Sequence, residues 1–296
     1  MTADPMAPRH ATQEISYAWS ARSRGARFLI RAMENATGRL GLIRRARGYE
    51  REIAHGADFW EVMASRYGLE LELAGGCLED IPSTGPLIVI ANHPYGILDG
   101  LVMGLVMARR RDEFRILAHN VFKRAPEIDR IILPVDFSET KEAVKANLRT
   151  RAEALRFLDE GGAIGVFPGG TVSTAATPFG APMDPGWRNF TAKMIARSDA
   201  VVLPVFFEGH NSRLFQLASH LHYSLRMGLM IREFKAQARN PLRLVIGQPI
   251  AQAQLAPLRE SPKQMMDFLR RATYDLSPTP LKSYGYGFEF EAKYRN

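Results

Sequence analysis

The sequence predicts an α/β protein: a single mixed, mostly parallel sheet flanked by helices, with an N-terminal basic amphipathic helical element. Three observations carry this expectation. Short apolar runs of strand length, rich in β-branched residues, recur at 87–91, 114–118, 131–135, 163–167, 201–207 and 242–246. Segments with helical apolar spacing alternate with them. Clusters of polar and turn-forming residues begin where the runs stop, at the strand ends where open α/β sheets bind ligands. A chain of 296 residues, 46% of them hydrophobic, is long enough for one large domain and an appended element.

Composition narrows the partners. The 39 basic and 31 acidic residues give a formal charge of +8, which suits an anionic partner such as a bilayer surface, a phosphorylated co-substrate or nucleic acid. Cys77 is the only cysteine, so no internal disulfide can form. Residues 1–14 carry Pro5 and Pro8 but no apolar core of a secretory signal, and are expected to be disordered. No apolar run approaches the roughly 18 residues of a spanning helix. The expected location is therefore peripheral, on the cytoplasmic face of the inner membrane.

Residues 15–68 are expected to form a helical, membrane-associating element. Between 15 and 47, Trp19, Phe28, Leu29, Met33, Leu40 and Ile43 interleave with eight arginines, and Gly25, Gly38 and Gly41 divide the helix. Apolar residues flanked by guanidinium groups suit an anionic lipid interface, at about 1 kcal/mol per cation. The competing account is a helix packed on its own domain with a solvated arginine face. No nucleic-acid motif or stacking platform accompanies the arginines. A helix over 49–67 places Ile53, Phe59, Trp60 and Met63 toward a core, and the alternation at 69–73 reads as a half-exposed strand.

The strand 87–91 ends abruptly in Asn92-His93-Pro94-Tyr95-Gly96-Ile97-Leu98-Asp99-Gly100. Asp99 then opens a helix marked by Leu101, Val102, Leu105 and Val106, so His93 and Asp99 face each other across one turn. An imidazole titrates near pH 6.5, where a general base works well, and a carboxylate on one ring nitrogen fixes its tautomer. A strand-end histidine beside a simple helix cap is the structural alternative. This run resembles the first motif of the glycerolipid acyltransferase superfamily, which includes the lysophospholipid acyltransferases, and in particular a divergent bacterial branch with the pattern Asn-His-Pro-x-Gly-x-Leu-Asp-Gly. The usual spacing leaves four residues between His and Asp; here there are five, a difference Gly96 can absorb.

Further along, the basic run 109–111 suits a helix end. Lys123, Arg124 and Arg130 stand where the resembled family carries acceptor-binding cations, although each also fits an ordinary surface charge. A helix over 142–158 with Val144, Leu148 and Leu155 on its apolar face ends at Gly161-Gly162. The strand at 163–167 continues into Phe167-Pro168-Gly169-Gly170-Thr171-Val172-Ser173, similar to the family's Phe-Pro-Glu-Gly-Thr-Arg signature, with Gly169 in the glutamate position and Val172 in the arginine position. A valine cannot bind a phosphate bidentately, so this position no longer recognises a glycerol phosphate. The amides of Gly169 and Gly170 and the hydroxyls of Thr171 and Ser173 remain as donors. A tight turn after a strand is the plain alternative for the two glycines.

The Ala-, Pro- and Gly-rich stretch 174–186 is long enough to act as a lid. A helix follows over 187–198. Pro204 within the strand 201–207 marks an edge, a bulge or a strand end, and Leu203-Pro204-Val205 resembles the family's final motif. Asn211, Ser212 and Arg213 form another polar cluster at a strand end and are candidate binding residues, with helix capping as the competing role. The Met-rich segment 214–234 contributes Met227 and Met230 either to an acyl groove or to core filling. His220 and His222 would not share a helix face, which argues against zinc. A helix over 262–274 closes the domain expected at 69–276, and the tail 277–296 shows no interpretable pattern.

The resemblance spans about 69–250 and implies an O-acyltransferase of membrane lipid biosynthesis that moves an acyl chain from acyl-CoA or acyl carrier protein to a lysolipid hydroxyl. His93 would take the hydroxyl proton, Asp99 would hold the imidazole, and polar groups would steady the oxyanion. Asn92, Lys123, Arg124, Gly169, Gly170, Thr171, Ser173, Asn211, Ser212 and Arg213 are the candidate substrate-binding residues. No metal or cofactor is implied. A lyso-aminolipid is favoured over lysophosphatidic acid; 1-acylglycerol-3-phosphate acyltransferase is the alternative enzyme, and a non-catalytic lipid-binding protein is the alternative of another class. A serine hydrolase is excluded by the lack of a Gly-x-Ser-x-Gly elbow.

Overall fold

A computed structural model describes residues 15–21, 23–119, 126–136 and 140–291. The chain begins with a short turn, Ala18–Ser20, then α1 (Arg24–Thr37), α2 (Arg39–Ala46), α3 (Tyr49–Ala54), α4 (Phe59–Tyr67) and β1 (Leu71–Gly75). It continues with β2 (Leu87–Ala91), α5 (Ile97–Ala108), β3 (Phe114–His119), α6 (Pro126–Asp129), β4 (Ile132–Val135), α7 (Lys141–Asp159) and β5 (Ala163–Val166). A small hairpin of β6 (Thr174–Ala175) and β7 (Pro182–Met183) precedes α8 (Asn189–Ile195) and β8 (Val201–Phe207). The last elements are α9 (Arg213–Leu221), α10 (Tyr223–Gln237), β9 (Leu242–Ile246), α11 (Gln252–Leu255) and α12 (Pro262–Tyr274).

Among the described residues seven strands form one sheet in the order β1-β9-β8-β2-β5-β3-β4. Strands β8, β2, β5, β3 and β4 run parallel. β9 joins β8 antiparallel, and β1 lies parallel to β9, so the sheet is mixed as expected. β2 is central and buried on both faces: Leu87, Val89 and Ala91 enter the core beneath α1, α4, α5 and α10, while Ile88 and Ile90 enter the one beneath α7, α8 and α12. Each of the Leu, Val and Ile side chains contributes about 1.5–3 kcal/mol by leaving water.

Several elements depart from expectation for identifiable reasons. The single helix expected over 49–67 is two, parted by Gly56 at φ +90° and restarted by the Asp58 N-cap, whose carboxylate accepts from the amides of Trp60 and Glu61. α7 turns Ala143, Thr150, Ala154, Phe157 and Leu158 inward and leaves Val144 and Leu148 exposed; the Thr150 hydroxyl donates to Pro134 O at 2.7 Å and sets this rotation. The 174–186 stretch is not a free loop, since β6 and β7 pair across it. Pro204 lies within a central strand, but at a register shift. β8 pairs with β9 through Val205↔Ile246 and with the following turn through Val202↔Ile250, which leaves one more residue on the β9 side of the interval, and no ladder amide is demanded there of a proline.

The N-terminal helices pack into the same core. Ile30, Leu42, Tyr49 and Trp60 belong to the buried cluster that includes β2 and α5, and α1 lies along α10 closely enough for a Cβ at Gly228 to come within 2.7 Å of Met33. Among the described residues no helix is long and apolar enough to cross a membrane.

Candidate active site

Because β2 sits between β8 and β5, the loops leaving all three carboxyl ends converge. Asn92 locks the first of them. Its side-chain amide donates to Phe207 O at 2.9 Å, and its carbonyl oxygen accepts from Phe207 N at 2.7 Å. Asn92 therefore ties two strand ends together, with both amide atoms bonded to the Phe207 backbone.

His93 follows. Gly96 adopts φ +90°, and a Cβ there would meet Met230 Cε at 2.3 Å and the Tyr17 hydroxyl at 3.2 Å, so the turn needs glycine. The turn accommodates the fifth intervening residue and delivers Asp99 to the first turn of α5. Asp99 Oδ2 accepts from Tyr95 N at 2.8 Å and Gly96 N at 2.9 Å and lies 2.8 Å from His93 Nδ1. Asp99 is fully buried, whereas the His93 side chain is 19% exposed. Burial pushes the Asp99 carboxyl up, opposed by the imidazole and the two amides. The ring stacks on Phe167 from the neighbouring strand end, with centroids 4.4 Å apart. With Nδ1 on the carboxylate, Nε2 is the ring atom left to face a substrate.

The second loop is laced to the first. Ser173 N donates to His93 O at 2.8 Å, and the Ser173 hydroxyl donates to Asp184. Asp184, fully buried after β7, also accepts from His93 N at 3.2 Å and Trp187 Nε1 at 2.9 Å. Gly169 leaves the room for this carboxylate, since a Cβ there would lie 3.2 Å from Asp184 Oδ2. Gly170, at φ +69°, gives its amide to Phe167 O at 3.0 Å. That amide is spent in the turn, and the Ser173 hydroxyl is spent on Asp184, so neither is the open donor the sequence suggested. Thr171 is part-exposed, and its hydroxyl accepts from Arg226 Nη2 at 3.3 Å.

The third loop divides the remaining candidates. Ser212 N-caps α9 and donates its hydroxyl to the buried Glu233 at 2.8 Å, so capping is its part. Arg213 is exposed and donates to the carbonyls of Phe179 and Gly180. Asn211 is fully buried, and among the described residues neither atom of its side-chain amide has a hydrogen-bond partner. Lys123 and Arg124 lie outside the described residues. Met230 is core filling beneath Gly96. Among the described residues no group of His, Cys, Asp and Glu is arranged to hold a metal; His220 faces Ala175 O, and His222 caps α10.

Sequence reasoning missed Asp184, Arg226 and Tyr17. Asp184 carried no signal beyond being an acid in a Pro- and Gly-rich stretch. Arg226 could have been flagged as a charge within an apolar, Met-rich segment. Tyr17, from the turn before α1, accepts from Ile97 N at 3.3 Å, which places the N-terminal segment against the His93 loop.

A family model described as Acyltransferase matches residues 50–280. A lyso-glycine lipid O-acyltransferase of Phocaeicola vulgatus is 22% identical over 228 residues, covering 75% of this chain and 78% of that protein. One of the same name from Bacteroides thetaiotaomicron is 24% identical over 230 residues, covering 75% and 80%. The crystal structure of the 1-acyl-sn-glycerophosphate acyltransferase PlsC from Thermotoga maritima aligns with a TM-score of 0.47 at 16% identity, covering 90% of this chain and 87% of that one.

Proposed function

This chain belongs to the acyltransferase family, and on that premise we propose that it esterifies the hydroxyl of a lysolipid whose head is an amino acid, with an acyl thioester as donor. The observation that carries the proposal is the His93 Nδ1 contact with the buried Asp99 carboxylate, 2.8 Å long, at the carboxyl end of the central strand β2. His93 Nε2 takes the proton of the acceptor hydroxyl as its oxygen attacks the thioester carbonyl. Asp99 holds the ring and balances the imidazolium. The tetrahedral intermediate then collapses with the thiolate leaving, and the imidazolium returns a proton to it.

The lyso-glycine lipid acyltransferases among the relatives support an aminolipid acceptor over lysophosphatidic acid, as does Val172, which offers no guanidinium at the second loop. The donor is acyl-CoA or acyl carrier protein. The bilayer is reached peripherally, from the cytoplasmic face, through α1: Phe28 and Leu29 are 78% and 43% exposed beside Arg24 and Arg27, while the helix's one acid, Glu34, is buried. The test is to incubate the purified protein with labelled acyl-CoA or acyl carrier protein and a panel of lyso-aminolipids and lysophosphatidic acid. Acylated lyso-aminolipid is the expected product. Faster use of lysophosphatidic acid would assign the alternative enzyme, and no transfer to any acceptor would leave only the lipid-binding reading.

A further inference from the structure

Arg226 is the largest fully buried side chain in the molecule's described part, at 1% exposure. Among the described residues its donors reach only neutral acceptors: Nη1 the hydroxyls of Thr174 (2.6 Å) and Ser219 (2.9 Å), Nη2 Val172 O (2.9 Å) and the Thr171 hydroxyl (3.3 Å). The guanidinium lies between the rings of Phe215 and Phe290, 4.8 and 4.3 Å from their centroids. The ionisable neighbours that bear on it are two tyrosines, Tyr223 and Tyr17, rather than a carboxylate, and burial pushes its pKa down to about 9, so it remains a cation at neutral pH. A buried charge without a counter-ion is costly and asks for one.

Its place is the site itself. Val172, whose carbonyl it holds, also packs 3.3 Å from where a Cβ of Gly96 would sit, in the turn between His93 and Asp99. The cation that position 172 does not supply within the loop thus arrives from α10. The longest of its four hydrogen bonds goes to Thr171, the one part-exposed partner, and this contact is the one most readily exchanged for an incoming anion. Next along the chain from β8, Asn211 keeps a buried side-chain amide with no partner among the described residues, while its backbone carbonyl accepts from Gln216 Nε2 at 3.4 Å on the helix that also supplies Phe215 and Ser219.

We propose that Arg226 is the head-group anchor of the acceptor: its guanidinium, reached past Thr171, pairs with a single carboxylate at the head of the lysolipid and thereby sets acceptor specificity. This rests on the lysolipid acyl transfer proposed above. One guanidinium neutralises one charge, so a carboxylate is matched, whereas a phosphomonoester would bring a second negative charge into a dry site with no partner. The anion is the acceptor's own and not the phosphate of the donor's pantetheine arm.

The experiment compares kcat/KM for one acyl donor with three acceptors of equal chain length: a lyso-aminolipid with a free carboxylate, its methyl ester, and lysophosphatidic acid. Wild type is expected to favour the free acid over the ester at least tenfold, mainly through KM, and Arg226→Met to reduce that ratio to near one; Arg226→Lys is expected to restore part of it. Equal use of acid and ester by wild type overturns the proposal, and this arm holds even if the variant fails to fold. A preference for lysophosphatidic acid, or an Arg226→Met variant that slows acid and ester by the same factor, overturns it too. A KM change for the donor with the acceptor ratio intact would assign the cation to the donor phosphate instead. Absence of transfer to every acceptor would be the failure of the underlying function rather than of the anchor.

Discussion

The His93 imidazole is held on two sides, by the buried Asp99 carboxylate at 2.8 Å and by the Phe167 ring, so its replacement tests packing as well as chemistry. His93→Ala is expected to lower acyl transfer by about 10²–10⁴-fold, the range of a general base, in a variant that still folds but melts lower than wild type because the buried Asp99 loses its imidazole. Asp99→Asn separates catalysis from stability. Burial raises the folded-state pKa of this group above its unfolded value near 3.9, so the folded protein binds its proton more tightly. Its contribution to stability is fully present below the unfolded value and is lost as pH rises through the folded one. The asparagine variant should therefore melt at or above wild type at pH 8, with the difference shrinking toward pH 4, while transfer falls. A variant several degrees less stable than wild type at pH 8 would show that the ionised carboxylate supports the fold. His93 and Asp99 were legible in the sequence because one turn joins them. Asp184 and Arg226 were not, because what defines them is contact with loops distant in the chain.

At the scale of elements, the second loop is shaped by what Gly169 leaves out. Its missing Cβ makes room for Asp184, whose carboxylate is fixed by Ser173, Trp187 and the His93 amide. Gly169→Ala should cost about 1–3 kcal/mol in denaturant unfolding, as overpacking does, and should lower kcat more than it raises KM, because the strain reaches the base through its own backbone. The strand positions were legible from apolar runs, since β2 and β8 are buried on both faces. The inward face of α7 was not, because Thr150, a polar residue, points into the sheet. The N-terminal helices combine both readings of their sequence: Ile30 and Glu34 are core, while Phe28 and Leu29 face outward. Phe28→Ala with Leu29→Ala should weaken sedimentation with anionic liposomes at least threefold and leave the melting curve in place. Deleting residues 15–47 cannot make this distinction, since it also removes Tyr17 and Ile30 from the core.

At the scale of the molecule, the C-terminal tail closes what the sheet begins. Gly287 N donates to Asp184 O at 2.8 Å and Phe288 N to Thr174 O at 2.9 Å, so the tail runs against the hairpin that carries Asp184. A Cβ at Gly287 would lie 1.8 Å from Met183 O, which explains a glycine in an aromatic run that had no readable pattern. Arg270 reaches Tyr284 O, Gly285 O and Asp184 O, and Arg188 forms a bidentate pair with Glu289 at 2.7 and 3.0 Å. The tail thus bears on both buried groups behind the site, Asp184 through its carbonyl and Arg226 through the Phe290 ring. Ending the chain at Ser283 should take away the Glu289 and Glu291 carboxylates that pair with the largely buried Arg188 guanidinium, at about 3 kcal/mol or more, and loosen the loop behind His93. The expected result is a folded protein with a lower melting temperature and a kcat loss larger than that of Glu289→Gln alone. Unchanged kcat in the truncated protein would mean that the hairpin holds Asp184 in place without the strap, and that the site is complete at α12.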